Sequence, residues 1–144
     1  MDGASGAALL APDDKGLRPW LAPTPLHWRR RLARRGDQAA ALAGAVARET
    51  GAPLATGALR RVKATPRLEG FSRRARAEAL RDVIAPRRGW ARRIEGARVV
   101  MIDDVLTTGA TLNACAAALH AMGARRVDAL VFARVVPPED HDFE

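Results

Sequence analysis

The sequence predicts an α/β fold, a mostly parallel sheet flanked by helices. Three observations predict it. Short apolar runs alternate along the chain with segments of helical periodicity. One run, Val99-Val-Met-Ile102, is apolar without interruption, as a strand covered on both faces must be. The segment after it sets Leu112, Cys115, Ala116, Leu119 and Met122 at spacings of three and four, with Gly123 as a stop. The 144 residues suit one domain with a single core.

Residues 1–16 mix Gly, Ala, Ser, Pro and Asp without period and read as a disordered or linker-like start. Residues 17–25 are expected to hold a short strand that ends at Pro23-Thr-Pro25. Asp37 can cap a helix to about Thr50, with Ala39, Leu42, Ala43, Val46 and Ala47 on one face and Gly51 past its end. Residues 54–62 read as a second strand, broken by Thr65-Pro66. Residues 67–84 are charged and helix-compatible, with a weak apolar face of Phe71, Ala75, Ala79 and Val83. Residues 85–93, with Pro86 and Gly89, read as a connection. A strand over 98–103, a helix over 111–122 and a strand over 127–136 complete the domain, expected to span 17–136. An acidic tail, 137–144, opens at Pro137-Pro138.

Hydrophobic residues make up 48% of the chain but aromatics only 4%, so a thin aliphatic core is expected. No run of 18 apolar residues exists, and acids stand where a signal peptide needs bases, so the cytoplasm is the expected address. The single cysteine, Cys115, rules out an internal disulfide and reads as a buried helix residue. Net charge is +8, concentrated in residues 29–98, where nineteen bases face six acids; residues 99–144 carry seven acids against three bases. Such a band fits nucleic acid, a phosphorylated small molecule, or a solvated surface. His27, His120 and His141 lack ligand spacing, and Trp20, Trp28 and Trp90 read as core anchors before base-stackers.

The chemistry concentrates at residues 99–111, VVMIDDVLTTGAT. A buried strand delivers Asp103 and Asp104 to a sheet edge, where their charge is costly unless donors or a cation meet it. Sugar hydroxyls are such donors, and Mg²⁺ is such a cation. Small hydroxyl residues and a glycine follow at a helix start, where amide N–H groups and the helix dipole favour a phosphate. Thr107, Thr108, Gly109, Ala110 and Thr111 are therefore the candidate ribose 5-phosphate cradle.

This block resembles the phosphoribosyl-diphosphate motif of type I phosphoribosyltransferases, which implies a Rossmann-like core of that class. Within it, the chain is most similar to the ComF family. The resembling segments are residues 25–36 (PLHWRRRLARRG), 61–66 (RVKATP) and 123–127 (GARRV), with Ala133-Arg134. The resemblance implies that Asp103 and Asp104 hold the ribose hydroxyls directly or through Mg²⁺. It places Arg29, Arg30 and Arg31 in the pyrophosphate loop. Lys63, Thr65 and Arg76 fall in the mobile loop over the reacting centre, Lys63 and Arg76 with a catalytic role. Against the family pattern, Gly36-Asp37-Gln38 is one residue shorter than its Gly-Phe-Asn-Gln. Leu68 and Ala79 replace a Gln and an Asn, and the four-cysteine zinc module has no counterpart.

The implied activity is transfer of a phosphoribosyl group from Mg–phosphoribosyl diphosphate to an acceptor such as a nucleobase; a homodimer, common in the class, is one expectation for an oligomeric state that the sequence leaves open. The departures keep a second expectation open: a weak or inactive module of the same fold linked to DNA uptake, contacting single-stranded DNA through its basic band.

Overall fold

The computed structural model describes residues 6–25, 38–62, 69–80, 83–106 and 109–134. Their elements in chain order are α1 (Gly6–Leu10), β1 (Trp20–Pro23), α2 (Gln38–Thr50), β2 (Leu59–Arg61) and α3 (Arg73–Leu80). Then come β3 (Ile84–Pro86), a 3-10 turn (Arg88–Trp90), α4 (Ala91–Ile94), β4 (Arg98–Leu106), α5 (Ala110–Ala121) and β5 (Arg126–Arg134). No described helix is long and apolar enough to cross a membrane.

β4 is the centre of a three-stranded sheet of order β1-β4-β5, parallel throughout. A parallel bridge between Leu21 and Leu54 extends it, with Leu21 N donating to Pro53 O and Ala55 N to Leu21 O, each at 2.8 Å. The pleat sends alternate side chains of β4 to opposite faces. Val99 and Met101 pack in a cluster with Cys115, Leu119 and Met122 of α5 and its end, and with Leu59 and Ile84. Val100 and Ile102 pack on the other face with Leu21, Ala43 and Ala52, closed by Leu9, Leu10, Leu42 and Val46. All four β4 residues are buried, which is why their run shows no alternation. Each large aliphatic side chain so buried contributes ~1.5–3 kcal/mol.

Outside β4, three stretches depart from the reading of the sequence. Residues 1–16 read as linker-like, yet α1 forms and seats Leu9 and Leu10 against the second cluster; five residues are too few to display a helical period. The reading of 85–93 as a connection gives way to β3, the 3-10 turn and α4. β3 pairs antiparallel with β2 (Leu59 with Pro86, Arg61 with Ile84), and Pro86 is tolerated at the end of a two-stranded ribbon that asks little of its amide. The strand expected over 54–62 divides into the Leu54 bridge and β2, so it serves two sheets. The ribbon lies against α5, which also contacts α3. Trp20 and Trp90 meet edge to face at 5.5 Å and back the first cluster, as expected of core anchors, with the Arg93 guanidinium 4.7 Å from the Trp90 ring.

Gly123 turns the chain from α5 into β5 at φ 89°, and its amide donates to His120 O at 2.9 Å. A Cβ there would lie 3.3 Å from Glu95 Cγ, so both conformation and space ask for glycine.

Candidate active site

β1 ends beside the middle of β4, with Pro23 in register with Ile102 one residue before the acid pair. In an open parallel sheet the carboxyl edge is where loops and helix starts converge. β4 does not stop at the acid pair: it continues to Leu106, with Asp103 opposite Val131 and Leu106 opposite Arg134. The expected end at residue 103 was short by three residues. Ladder pairing to β5 carries the strand on after the apolar run is over.

Asp103 and Asp104 are each half-buried. Burial pushes the Asp103 carboxyl above the usual carboxylate range, and the neighbouring Asp104 side chain, near enough to share a hydrogen bond, pushes it the same way. The Thr24 side chain hydrogen-bonds to Asp103 and opposes the shift. Thr24 follows β1, is only 7% exposed, and donates its amide to Ile102 O at 3.0 Å. Sequence reasoning missed Thr24. Its one signal was position, a hydroxyl residue between two prolines where a neighbouring strand ends.

Beneath the pair lies Cys115, fully buried in α5, its thiol pushed up to about 12 by burial. Arg61 of β2 and Asp103 both act on it electrostatically, so the three groups share one neighbourhood. Arg61 is a second residue that sequence spacing alone did not bring to this edge. The expectation of an inert, buried Cys115 agrees with its surroundings.

Beyond β4 the chain enters α5 through Gly109 at φ 77°, ψ −3°, the left-handed region that glycine occupies without strain. Asn113 N donates to Gly109 O at 2.9 Å, closing the first turn of the helix. The amides ahead of Asn113, those of the opening turn, have no acceptor within the helix and lie at its positive pole. Thr111 is half-buried in that turn. The structure thus places Asp103, Asp104, Gly109 and Thr111 along one strand-to-helix passage. Arg29, Arg30, Arg31, Lys63, Thr65, Thr107 and Thr108 lie outside the described residues. Arg76 and Ala110 are placed in α3 and α5 by their backbone alone.

Among the described residues no cluster of three or more His, Cys, Asp or Glu forms a metal cage. The two adjacent carboxylates do fit a hard cation that completes its shell with ligand oxygens. They are half-buried like charges side by side, and Asp103 resists ionising, so a divalent ion would relieve both costs.

The model of the phosphoribosyl transferase domain family matches residues 37–142. Solved structures similar to the chain include the allosteric regulatory enzyme of purine biosynthesis. Another is glutamine phosphoribosylpyrophosphate amidotransferase from B. subtilis, complexed with ADP and GMP. Each is 25% identical over 79% of this chain and 22% of the other, at a TM-score of 0.49. A protein from Thermus thermophilus is 21% identical over 96% of this chain and 81% of the other, at a TM-score of 0.45. The chain therefore spans about a fifth of the length of the first two enzymes. No curated protein matches the chain.

Proposed function

The chain belongs to the phosphoribosyl transferase domain family, and from that premise we propose that it binds Mg–phosphoribosyl diphosphate at the carboxyl edge of its sheet and transfers the phosphoribosyl group to an acceptor such as a nucleobase. One observation carries this reading: a half-buried acid pair on the central strand, leading directly to a glycine-capped helix start. Donor-rich ribose hydroxyls suit the acids, and a phosphate suits the free amides beyond them.

In the proposed reaction the bond between the anomeric carbon and the pyrophosphate oxygen breaks, its electron pair leaving with pyrophosphate. A lone pair of the acceptor forms the new bond, and the proton that the acceptor nitrogen sheds passes to water or to the departing pyrophosphate. Asp103 and Asp104 hold the ribose hydroxyls and so fix the anomeric carbon, while Thr24 keeps Asp103 in place. Thr107, Thr108, Gly109, Ala110 and Thr111 hold the 5-phosphate. Arg29, Arg30 and Arg31, with Lys63 and Arg76, take up charge on the departing pyrophosphate. Mg²⁺ held at Asp103 and Asp104, directly or through the ribose hydroxyls, would supply positive charge that favours departure of pyrophosphate. The finer assignment, a ComF-like member, rests on the segments at 25–36, 61–66 and 123–127.

Calorimetry with phosphoribosyl diphosphate and Mg²⁺ tests the site, and pyrophosphate exchange across a nucleobase panel tests the transfer. Wild type should bind and exchange with at least one base, and Asp104→Ala should do neither. Absence of binding by wild type would overturn the proposal.

A second reading keeps the ligand site but makes the chain a weak or inactive module bound to single-stranded DNA. It is favoured by Arg87, Arg88, Arg92 and Arg93, all exposed around Trp90 and paired with no carboxylate among the described residues. Ligand binding without exchange on any base, together with salt-sensitive DNA binding that survives Asp104→Ala, would select this second reading.

A further inference from the structure

The opposite, amino-terminal edge of the sheet carries a cleft of about 460 Å³, a volume that suits a small molecule. It opens between the segment ahead of β1 and the starts of β4 and β5. Three arginines, Arg18, Arg98 and Arg125, line it with one acid, Asp13. Arg98 is anchored: its Nη2 donates to Ala11 O at 2.9 Å and Leu17 O at 2.8 Å, which fixes the plane of its fork. The other two are held loosely. Arg18 Nη1 donates to Leu10 O at 3.2 Å, and Arg125 Nη2 stands 3.8 Å from Asp13 Oδ2. The remaining Asp13 oxygen, Oδ1, accepts the amides of Lys15 and Leu17 at 2.9 Å each.

The wall is apolar. Leu17 is 62% exposed at the rim, beside Trp20 and Pro53. A Cβ added at Gly16, Gly51 or Gly96 would meet nothing within 4 Å, so open space lies before all three. Three arginines against one carboxylate leave the cleft net positive, and beside a wall that includes the Trp20 indole this suits a ligand with a doubly charged anionic head and a planar body. A phosphate monoester carries roughly −1.5 to −2 at neutral pH, and planar guanidinium forks match its oxygens.

We propose that this cleft is a second binding site, for a small phosphate monoester with a flat apolar body such as an aryl phosphate. Arg98 and Asp103 are five residues apart on β4, about 17 Å at strand rise, so the cleft is separate from the phosphoribosyl site.

Phenyl phosphate is the probe, followed by heteronuclear NMR on the intact chain. The amides of Gly16, Gly51 and Gly96 report the cleft, and that of Gly109 reports the opposite edge. The three cleft amides should shift saturably, whatever happens at Gly109. Half-saturation should rise at least ~tenfold in Arg18→Gln/Arg125→Gln, the loss of about one charge-assisted contact. It should rise likewise in Leu17→Glu, which adds a carboxylate at an exposed position and leaves the fold alone. Inorganic phosphate, with the charge but no ring, should need at least ~fivefold more ligand. Cleft amides that do not shift, or that titrate as in wild type in Leu17→Glu, overturn the site; equal affinity for inorganic phosphate overturns the flat body.

Discussion

The two ends of β4 handle charge in opposite ways. At the amino end Arg98 finds fixed internal partners, the carbonyl oxygens of Ala11 and Leu17, and so ties the segment before β1 to the sheet. At the carboxyl end Asp103 meets a second carboxylate and one hydroxyl, and burial raises its proton affinity. One strand therefore carries a compensated charge and an uncompensated one. Where the chain supplies the partner, the charge builds structure; where it does not, a ligand must.

Removing the uncompensated end should have the largest effect. Asp103→Ala/Asp104→Ala should weaken phosphoribosyl-diphosphate binding roughly a thousandfold by calorimetry, while the far-ultraviolet spectrum stays that of wild type. Unchanged affinity would show that the acids do not face the sugar. Next, Leu119→Ala removes a fully buried side chain under the same strand and should cost about 3 kcal/mol in chemical denaturation, loosening both ends together.

A sharper test of the contrast is Asp103→Asn. The folded-state pKa of Asp103 is raised, so its folding contribution is intact below the ordinary value of 3.8 and is lost as pH rises through the raised value. Relative to wild type, Asp103→Asn should therefore gain thermal stability as pH rises from below ~4 to ~7, while losing ligand affinity. A pH-independent difference would mean that burial does not burden this carboxyl. At the compensated end, Arg98→Ala should free the segment 11–17, raising amide exchange there roughly fivefold, the loss of about 1 kcal/mol of exposed hydrogen bonding. The smallest effect is at Cys115, whose thiol should resist iodoacetamide at about pH 8 until the protein unfolds.

How far these features were legible in the chain depends on whether they are local. The β4 run and the α5 face declare themselves because each buried residue recurs at the period of its own element. The candidate motif from Asp103 to Thr111 could be proposed from the chain because its strand, acids, loop and helix start are contiguous. Thr24 and Arg61 could not. They reach the neighbourhood of Asp103 only because β1 pairs with β4 and because the β2–β3 ribbon lies against α5. The three-residue strand ending in Pro86 left no periodic trace, and its partner, β2, lies more than twenty residues earlier. The cleft at the amino edge draws on four separate segments, so no window of sequence contains it.

By itself, then, the sequence determined the α/β class and the central buried strand, and it proposed the consecutive residues of the candidate site, since short-range periodicity and a contiguous motif need no partner to be read. Only the tertiary structure decided that the acid pair stays inside the β4 ladder. It also decided which hydroxyl steadies Asp103 and where three arginines separated in sequence meet. Those outcomes depend on strand pairing and register, which couple residues tens of positions apart and leave no repeating mark on the chain.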